Sequence, residues 1–107
     1  MVANQYDICL VKLNPTVGRE IKKTRPCVVL SPDELNLKLG TMIVAPLTSK
    51  SHKIFWRIPV RLNKRSGFVV LDQIRTVDRS RLVKKIGRLN FGTVGKVKAM
   101  IKEMLVD

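Results

Sequence analysis

Histidine, cysteine and acid are what this sequence has least of. His52 is the only histidine, so a two-histidine metal motif is absent, and no Ser/Cys–His triad is apparent. Its ordinary pKa makes it the natural general base, but a place beside Lys53 reads as surface. Cys9 and Cys27 are the only cysteines. Without a CxxC pair or a Cys/His cluster they make no zinc site. Both lie in apolar, strand-like segments and read as reduced, buried thiols that pack as small apolar groups. No run of about 18 apolar residues exists, which excludes a helical membrane span. The start, Met1-Val2-Ala3-Asn4-Gln5, lacks a basic-then-apolar leader, so a cytoplasmic protein is expected. No cofactor motif is apparent, and none is expected.

Eight Asp and Glu face 21 Lys and Arg, a formal charge of +13. The imbalance is local. Residues 1–48 carry six cations and four acids, whereas residues 49–107 carry fifteen and four. From Lys50 to Arg65 there are six cations and no carboxylate. From Arg75 to Arg88 there are six more against Asp78 alone. Such asymmetry points to a polyanionic partner, most simply nucleic acid. The length of 107 residues fits one domain, 1–107, with one core.

The pattern reads mostly as strands. Tyr6–Leu13 is the first, ended by Asn14-Pro15, and residues 14–24 form a polar loop. Arg25-Pro26 opens a second strand, Cys27–Leu30, because proline lacks an N–H and suits a strand start. Ser31-Pro32-Asp33-Glu34 predicts a helix start with Ser31 as cap. Gly40 stops that helix. Thr41–Leu47 is a third strand ending at Thr48. Ile54–Arg61 alternates, with Ile54, Trp56, Ile58 and Val60 on the inner face and a basic outer face. Pro59 marks an edge or bulge. Asn63–Gly67 turns the chain. Phe68–Leu71 is a central strand that continues through Thr76. Asp78 caps a short helical turn over Arg79–Val83, and Lys85–Leu89 is the last strand. Thr93 caps a final helix whose stripe is Val94, Val97, Ile101, Met104 and Leu105. Strands first and helix last predict a small twisted antiparallel sheet or partly open barrel with a helix packed on it.

Two segments carry chemistry. Gly18-Arg19-Glu20 leads to Arg25-Pro26, and Pro46-Leu47-Thr48-Ser49 ends an apolar run. Each puts a polar group where a strand meets a loop. A fixed guanidinium beside a hydroxyl stabilises a phosphate in a displacement reaction.

These residues resemble the MazF/PemK family of toxin endoribonucleases over nearly the whole chain. Asp7-Ile8 is similar to that family's first strand, and Leu13-Asn14-Pro15-Thr16-Val17-Gly18-Arg19-Glu20 to its signature loop. Thr24–Ser31 resembles its second strand and Ala45-Pro46-Leu47-Thr48-Ser49 its third. Leu71–Asp78 resembles its most recognisable later stretch. The resemblance implies an SH3-like small barrel, mainly β, with a short helix and a C-terminal helix, forming a homodimer. It implies metal-independent cleavage of single-stranded RNA at short sequences, leaving 2′,3′-cyclic phosphate and 5′-hydroxyl ends. It further implies an antitoxin with an acidic tail, and operator DNA only through the antitoxin complex.

In that reaction the RNA 2′-hydroxyl attacks its own phosphate, so the protein supplies no nucleophile. Arg25 is the first catalytic candidate. An Arg with pKa above about 12 is a poor base, so its role is electrostatic. Thr48 is the second, a hydroxyl donor to the phosphate. Arg19 and Glu20 in the signature loop, with Asn36, Ser49, Asp72, Gln73 and Arg75, are the candidates for binding RNA or supporting the site. Asn36 matches a frequent family asparagine and is a candidate to read a base edge. In the PemK branch the residue matching Asp72 is the base, with an Arg two positions earlier and a His in the loop. Here those positions are Val70 and Arg19, which favours Arg25 and Thr48, leaving Asp72 to fix Arg25 or contact a base. Trp56 and Phe55 are candidates to stack bases. Two other readings stand beside the nuclease. A non-catalytic RNA-binding protein explains the charge but not the motif set. A gyrase poison of the CcdB type on the same fold acts through its C-terminal helix, whereas the motifs here lie at loops and strand ends.

Overall fold

The computed structural model describes residues 2–49 and 56–106. Seven strands follow the expected order: β1 (Asp7–Lys12), β2 (Thr24–Val29), β3 (Thr41–Thr48), β4 (Arg57–Leu62), β5 (Arg65–Val70), β6 (Arg75–Asp78) and β7 (Leu82–Arg88). Helix α1 (Asp33–Lys38) lies between β2 and β3, and α2 (Phe91–Ile101) follows β7. The strands pair antiparallel in the order β4-β5-β3-β2-β1-β7, with β6 beside β3. The sheet curls until its ends approach. A Cβ on Gly87 of β7 would lie 3.0 Å from Leu62 Cδ1 of β4, so a side chain there would press the closure apart.

β3 is the hub. On one edge its Val44–Pro46 pair with β2. On the other, Thr41–Val44 pair with β6, and Leu47 and Thr48 with β5. Pro46 falls between those two partners, where a missing N–H leaves no ladder bond unmade. The same exchange of partners corrects the expected long strand from Phe68 through Thr76. Extending the β5 register would set Asp72 against Val44; the partner is Arg75, three residues on. A 3-10 turn at Leu71–Gln73 takes up those three residues and buries Leu71.

Alternation divides the apolar residues between two faces of the sheet. Cys9, Val11, Cys27, Val29 and Val44 pack on one side, with Val77 and Leu82. Ile8, Val28, Ala45, Leu47, Ile58 and Val69 pack on the other, covered by Val97 of α2. Leu13 N–H donates to Lys23 O at 3.0 Å. Counting back along that ladder, Cys9–Cys27 is a hydrogen-bonded pair and Leu10–Pro26 is not. Pro26 therefore points its missing donor away from β1, and pairing with β3 begins only at Cys27. Cβ atoms of a hydrogen-bonded pair stand wider apart than a disulfide tolerates. Both thiols are free and buried. Burial pushes Cys9 up to about 11 and Cys27 up to about 12.

Other boundaries also shift. The turn after β4 is Asn63-Lys64 alone, with φ of 48° and 67°, a two-residue hairpin of the kind that requires positive φ. Gly67 belongs to β5, where it faces Val60. Ser31 does not cap α1: its hydroxyl bonds Asn36 and accepts from Ile43 N–H, and Pro32 takes the cap position. Gly40 at φ 67° ends that segment as expected. Asp78 caps a 3-10 turn, Arg79–Arg81; hydrogen bonds from the Ser80 side chain and then from its N–H lower its pKa, and Leu82 and Val83 already belong to β7. Asn90, not Thr93, caps α2, accepting from Thr93 N–H at 2.8 Å. Beyond Ile101 the chain widens into a π turn, Lys102–Val106. Leu105, in that turn, is exposed, while Met100, within α2, packs on the stripe. On β4, Ile58 is buried and Pro59 exposed on a strand at the end of the sheet, as its alternation requires. Ile54 and Phe55 lie outside the described residues.

Candidate active site

β2 and β3 bring the two chemical segments together. Their register pairs Cys27 with Pro46. Arg25 and Thr48 each lie two residues beyond that last pair on their own strands, and both share its face because the side-chain period is two. They line one open cavity of about 580 Å³ together with Ser49, Asn63, Arg65 and Ser66. Its lining contains two guanidinium-bearing residues and no carboxylate. Arg25 is exposed, and its Nε donates to Lys22 O at 3.3 Å. No ion pair involves Arg25 among the described residues. Gly67 sets the hairpin against the site: a Cβ there would lie 2.7 Å from the Thr48 carbonyl oxygen.

The loop of residues 14–23 is held in place at several points. Gly18 has φ of 58°. Glu20 Oε1 accepts from Val17 N–H at 3.0 Å, closing the tip. Gln73 Oε1 accepts from Ile21 N–H at 2.8 Å, and Arg75 donates to Leu13 O at 3.0 Å. Asn14 Oδ1 accepts from Lys23 N–H at 3.2 Å, and the Asn14 carbonyl accepts from Arg81. Glu20, Asp72, Gln73 and Arg75 line a second, smaller cavity of about 230 Å³ between the loop and the turn after β5. Pro46 lines it too, one residue from the Leu47 wall of the first.

The nine expected site residues thus divide. Arg25, Thr48 and Ser49 share the larger cavity. Glu20, Asp72, Gln73 and Arg75 share the smaller. Arg19 is exposed on the loop and lines neither. Asn36 cannot read a base edge. It is buried, and its amide donates to Ala3 O at 3.1 Å and Ser31 O at 3.0 Å, pinning α1 to the N-terminal segment. Asp72 does not fix Arg25. It pairs with Arg57, accepting from Nε at 3.3 Å and from the guanidinium tip at 3.4 Å. Trp56 is exposed in a separate cavity with Asp72, Met100, Glu103 and Met104. His52 and Phe55 lie outside the described residues. Arg65, Asn63 and Ser66 were missed from the sequence. Their only signal was the acid-free cationic run before Gly67, because their place beside Thr48 depends on the tight hairpin.

Among the described residues no three His, Cys, Asp or Glu side chains cluster to hold a metal ion. Nor is any described helix long and apolar enough to cross a membrane. What the larger cavity offers is cationic and hydroxyl donors, which suit an anion rather than a cation.

Comparison with known proteins bears on the family and the fold. A family model for PemK-like, MazF-like toxins of type II toxin–antitoxin systems matches residues 4–105. Endoribonuclease EndoA of Bacillus subtilis is 35% identical over 103 residues, covering 91% of this chain and 89% of that protein. The crystal structure of MazF from Deinococcus radiodurans superposes with a TM-score of 0.89 at 25% identity, over 98% of this chain and 97% of that one. An endoribonuclease from mycobacterial species, solved in complex with its cognate antitoxin, shares the fold at 14% identity, with a TM-score of 0.76 over 95% and 91% of the two chains. The chain belongs to the PemK-like, MazF-like toxin family of type II toxin–antitoxin systems.

Proposed function

We propose that this endoribonuclease toxin cuts single-stranded messenger RNA at short sequences without a metal, and so inhibits translation and growth. The observation that supports it is that Arg25 and Thr48 line the same cavity, which no described carboxylate lines. The RNA 2′-hydroxyl attacks the adjacent phosphorus and gives up its proton, the bond to the 5′-oxygen breaks, and that oxygen takes up a proton, so none is gained or lost overall. The products are a 2′,3′-cyclic phosphate and a 5′-hydroxyl. Arg25 holds the charge that builds on the phosphorane oxygens, and Thr48 donates a hydrogen bond to the same group. Ser49 and Arg65 flank them. Glu20, Gln73 and Arg75 keep the 14–23 loop in place beside the cavity, and Arg19 meets the RNA backbone from its tip.

The same cationic surface suits the acidic tail of a cognate antitoxin, which blocks the cavity in the cytoplasm. The toxin acts as a homodimer, and it meets operator DNA only within the antitoxin complex. Incubating the protein with a long single-stranded RNA in EDTA tests the reading. Discrete cuts at a recurring short sequence, with cyclic-phosphate and 5′-hydroxyl ends lost in Arg25→Ala, support it. RNA that binds but stays intact would favour a binding protein. A supercoiling assay tests the gyrase-poison alternative when RNA is not bound at all.

A further inference from the structure

The row that begins with Arg25 and Thr48 does not end at β3. Thr48 is paired with Phe68 of β5, and Phe68 with Pro59 of β4. Directly paired residues of antiparallel strands project from the same face. Thr48, Phe68 and Pro59 therefore follow one another across three strands, and Arg25 lies on the same face of β2, lining the cavity with Thr48. The residues beside them, Leu47, Val69 and Ile58, project from the opposite face and are buried in the core. Phe68 is different. It is half-buried, yet it belongs to neither core cluster. It lines a cavity of about 510 Å³ with Ser49, Pro59 and Arg61. This cavity adjoins the Arg25–Thr48 cavity, because Ser49, Ser66 and Gly67 line both. No carboxylate lines either one.

We infer that Phe68, flanked by Pro59, is a stacking platform for the nucleobase next to the phosphate held by Arg25 and Thr48, and that Arg61 takes the next phosphate of the same strand. This inference rests on the ribonuclease reading. Neighbouring strands lie about 4.8 Å apart, so Phe68 is one strand spacing from Thr48. That is within reach of a base attached to a phosphate at Thr48. Arg61 lies two residues beyond Pro59 on the same face and opposite Ser66, further along the direction in which the nucleic acid would leave. A phenyl ring stacks on any base, since every base has a π face. The platform therefore contributes affinity and orientation at this position, and sequence discrimination falls to polar groups such as Ser49 and Ser66.

An abasic scan tests the platform. An oligonucleotide containing one mapped cut is made with an abasic residue at each position around it in turn. It is cleaved by the wild type, Phe68→Leu, Phe68→Ala and Phe68→Tyr, with thermal melts as the control for folding. Base–aromatic stacking predicts a loss of about tenfold in kcat/KM at one position beside the cut in the wild type, mostly through KM. Phe68→Leu keeps the apolar volume but not the ring. It loses about tenfold on intact RNA and nothing more when that base is absent. Phe68→Tyr behaves as wild type. A folded Phe68→Leu that keeps the full abasic effect overturns the platform while leaving the ribonuclease reading in place. Wild-type protein that cuts no RNA overturns both. Arg61→Gln, measured for binding in the Arg25→Ala background so that RNA stays whole, lowers the slope of log affinity against log salt by about 0.7. An unchanged slope removes Arg61 from the proposal.

Discussion

Cations in two regions of the sheet do different work. Near β1 and β7, Lys85 and Arg88 both reach Asp7 Oδ1 at 3.1 Å, and Asn4 N–H donates to its other oxygen at 2.8 Å. That carboxylate is 1% exposed, so its two cations serve the fold. Arg75, Arg79 and Arg81 are likewise engaged, donating to backbone carbonyls of the 14–23 loop, α1 and β1. Near the ends of β2 and β3, Arg25 and Arg65 line a cavity that no carboxylate reaches. A high positive charge is therefore not one property. Part of it is neutralised inside the protein, and part is left for a polyanion.

The sharpest break of this contrast is at Arg25 and Thr48. Arg25→Ala or Thr48→Ala lowers cleavage about 100-fold or more while the melting temperature and RNA affinity stay near wild type, because one charge-stabilising donor is worth about that factor. Near-wild-type activity in both variants would remove the proposed site. Asp7→Ala reverses the pattern. Its cations remain half-exposed, so the cost falls below that of stranding buried charges, at about 2 kcal/mol in chemical denaturation, with kcat in the folded fraction unchanged. Equal loss of activity and stability would merge the two regions.

Gly67→Ala lies between them. The added methyl meets the Thr48 carbonyl at 2.7 Å, so strand spacing must widen at a cost of about 1–3 kcal/mol, with cleavage reduced as Thr48 moves. A variant as stable and active as wild type would contradict the close approach. Asp72→Asn has a smaller effect. The Asp72 side chain is 28% exposed, and loss of its ion pair with Arg57 costs below about 1 kcal/mol, screened by salt. A loss of cleavage approaching that of Arg25→Ala would return Asp72 to the chemistry.

The thiols give the mildest test. Cys9 and Cys27 titrate near 11 and 12 in the folded chain, above the ordinary value of 9.0. A raised folded pKa favours the neutral thiol in the native state. Their contribution is complete below pH 9 and is lost as pH rises from there through 11 and 12. Denaturation between pH 8 and 11 therefore shows stability falling, and Cys9→Ala/Cys27→Ala flattens that fall. Rapid modification of both thiols by a soluble reagent at pH 8 in the native state would refute their burial.

Much of the site was legible as residue types and order. Arg25-Pro26 stands near the start of β2 and Pro46–Ser49 near the end of β3, and Gly18–Glu20 lies in the loop between β1 and β2. Asn36 and Asp72 were not legible in the same way. A polar side chain that reads as exposed can be drawn inside by partners distant in sequence, as Asn36 is by Ala3 O, 33 residues away. Asp72 meets Arg57 only because the chain turns at Leu71–Gln73, and that turn answers to the register of β3 rather than to its own residues.

By itself the sequence determined most of the strand succession, the apolar alternation that splits the core between two faces, and the excess of cations over acids. These depend on local propensity, on period, or on simple counting. Only the tertiary structure decided that Arg25 and Thr48 line one cavity, that Phe68 pairs with Thr48, and which cations Asp7 and Asp72 neutralise. Those are pairings between segments tens of residues apart. Antiparallel register fixes them, and a slip of one residue would move every one of those side chains to the other face.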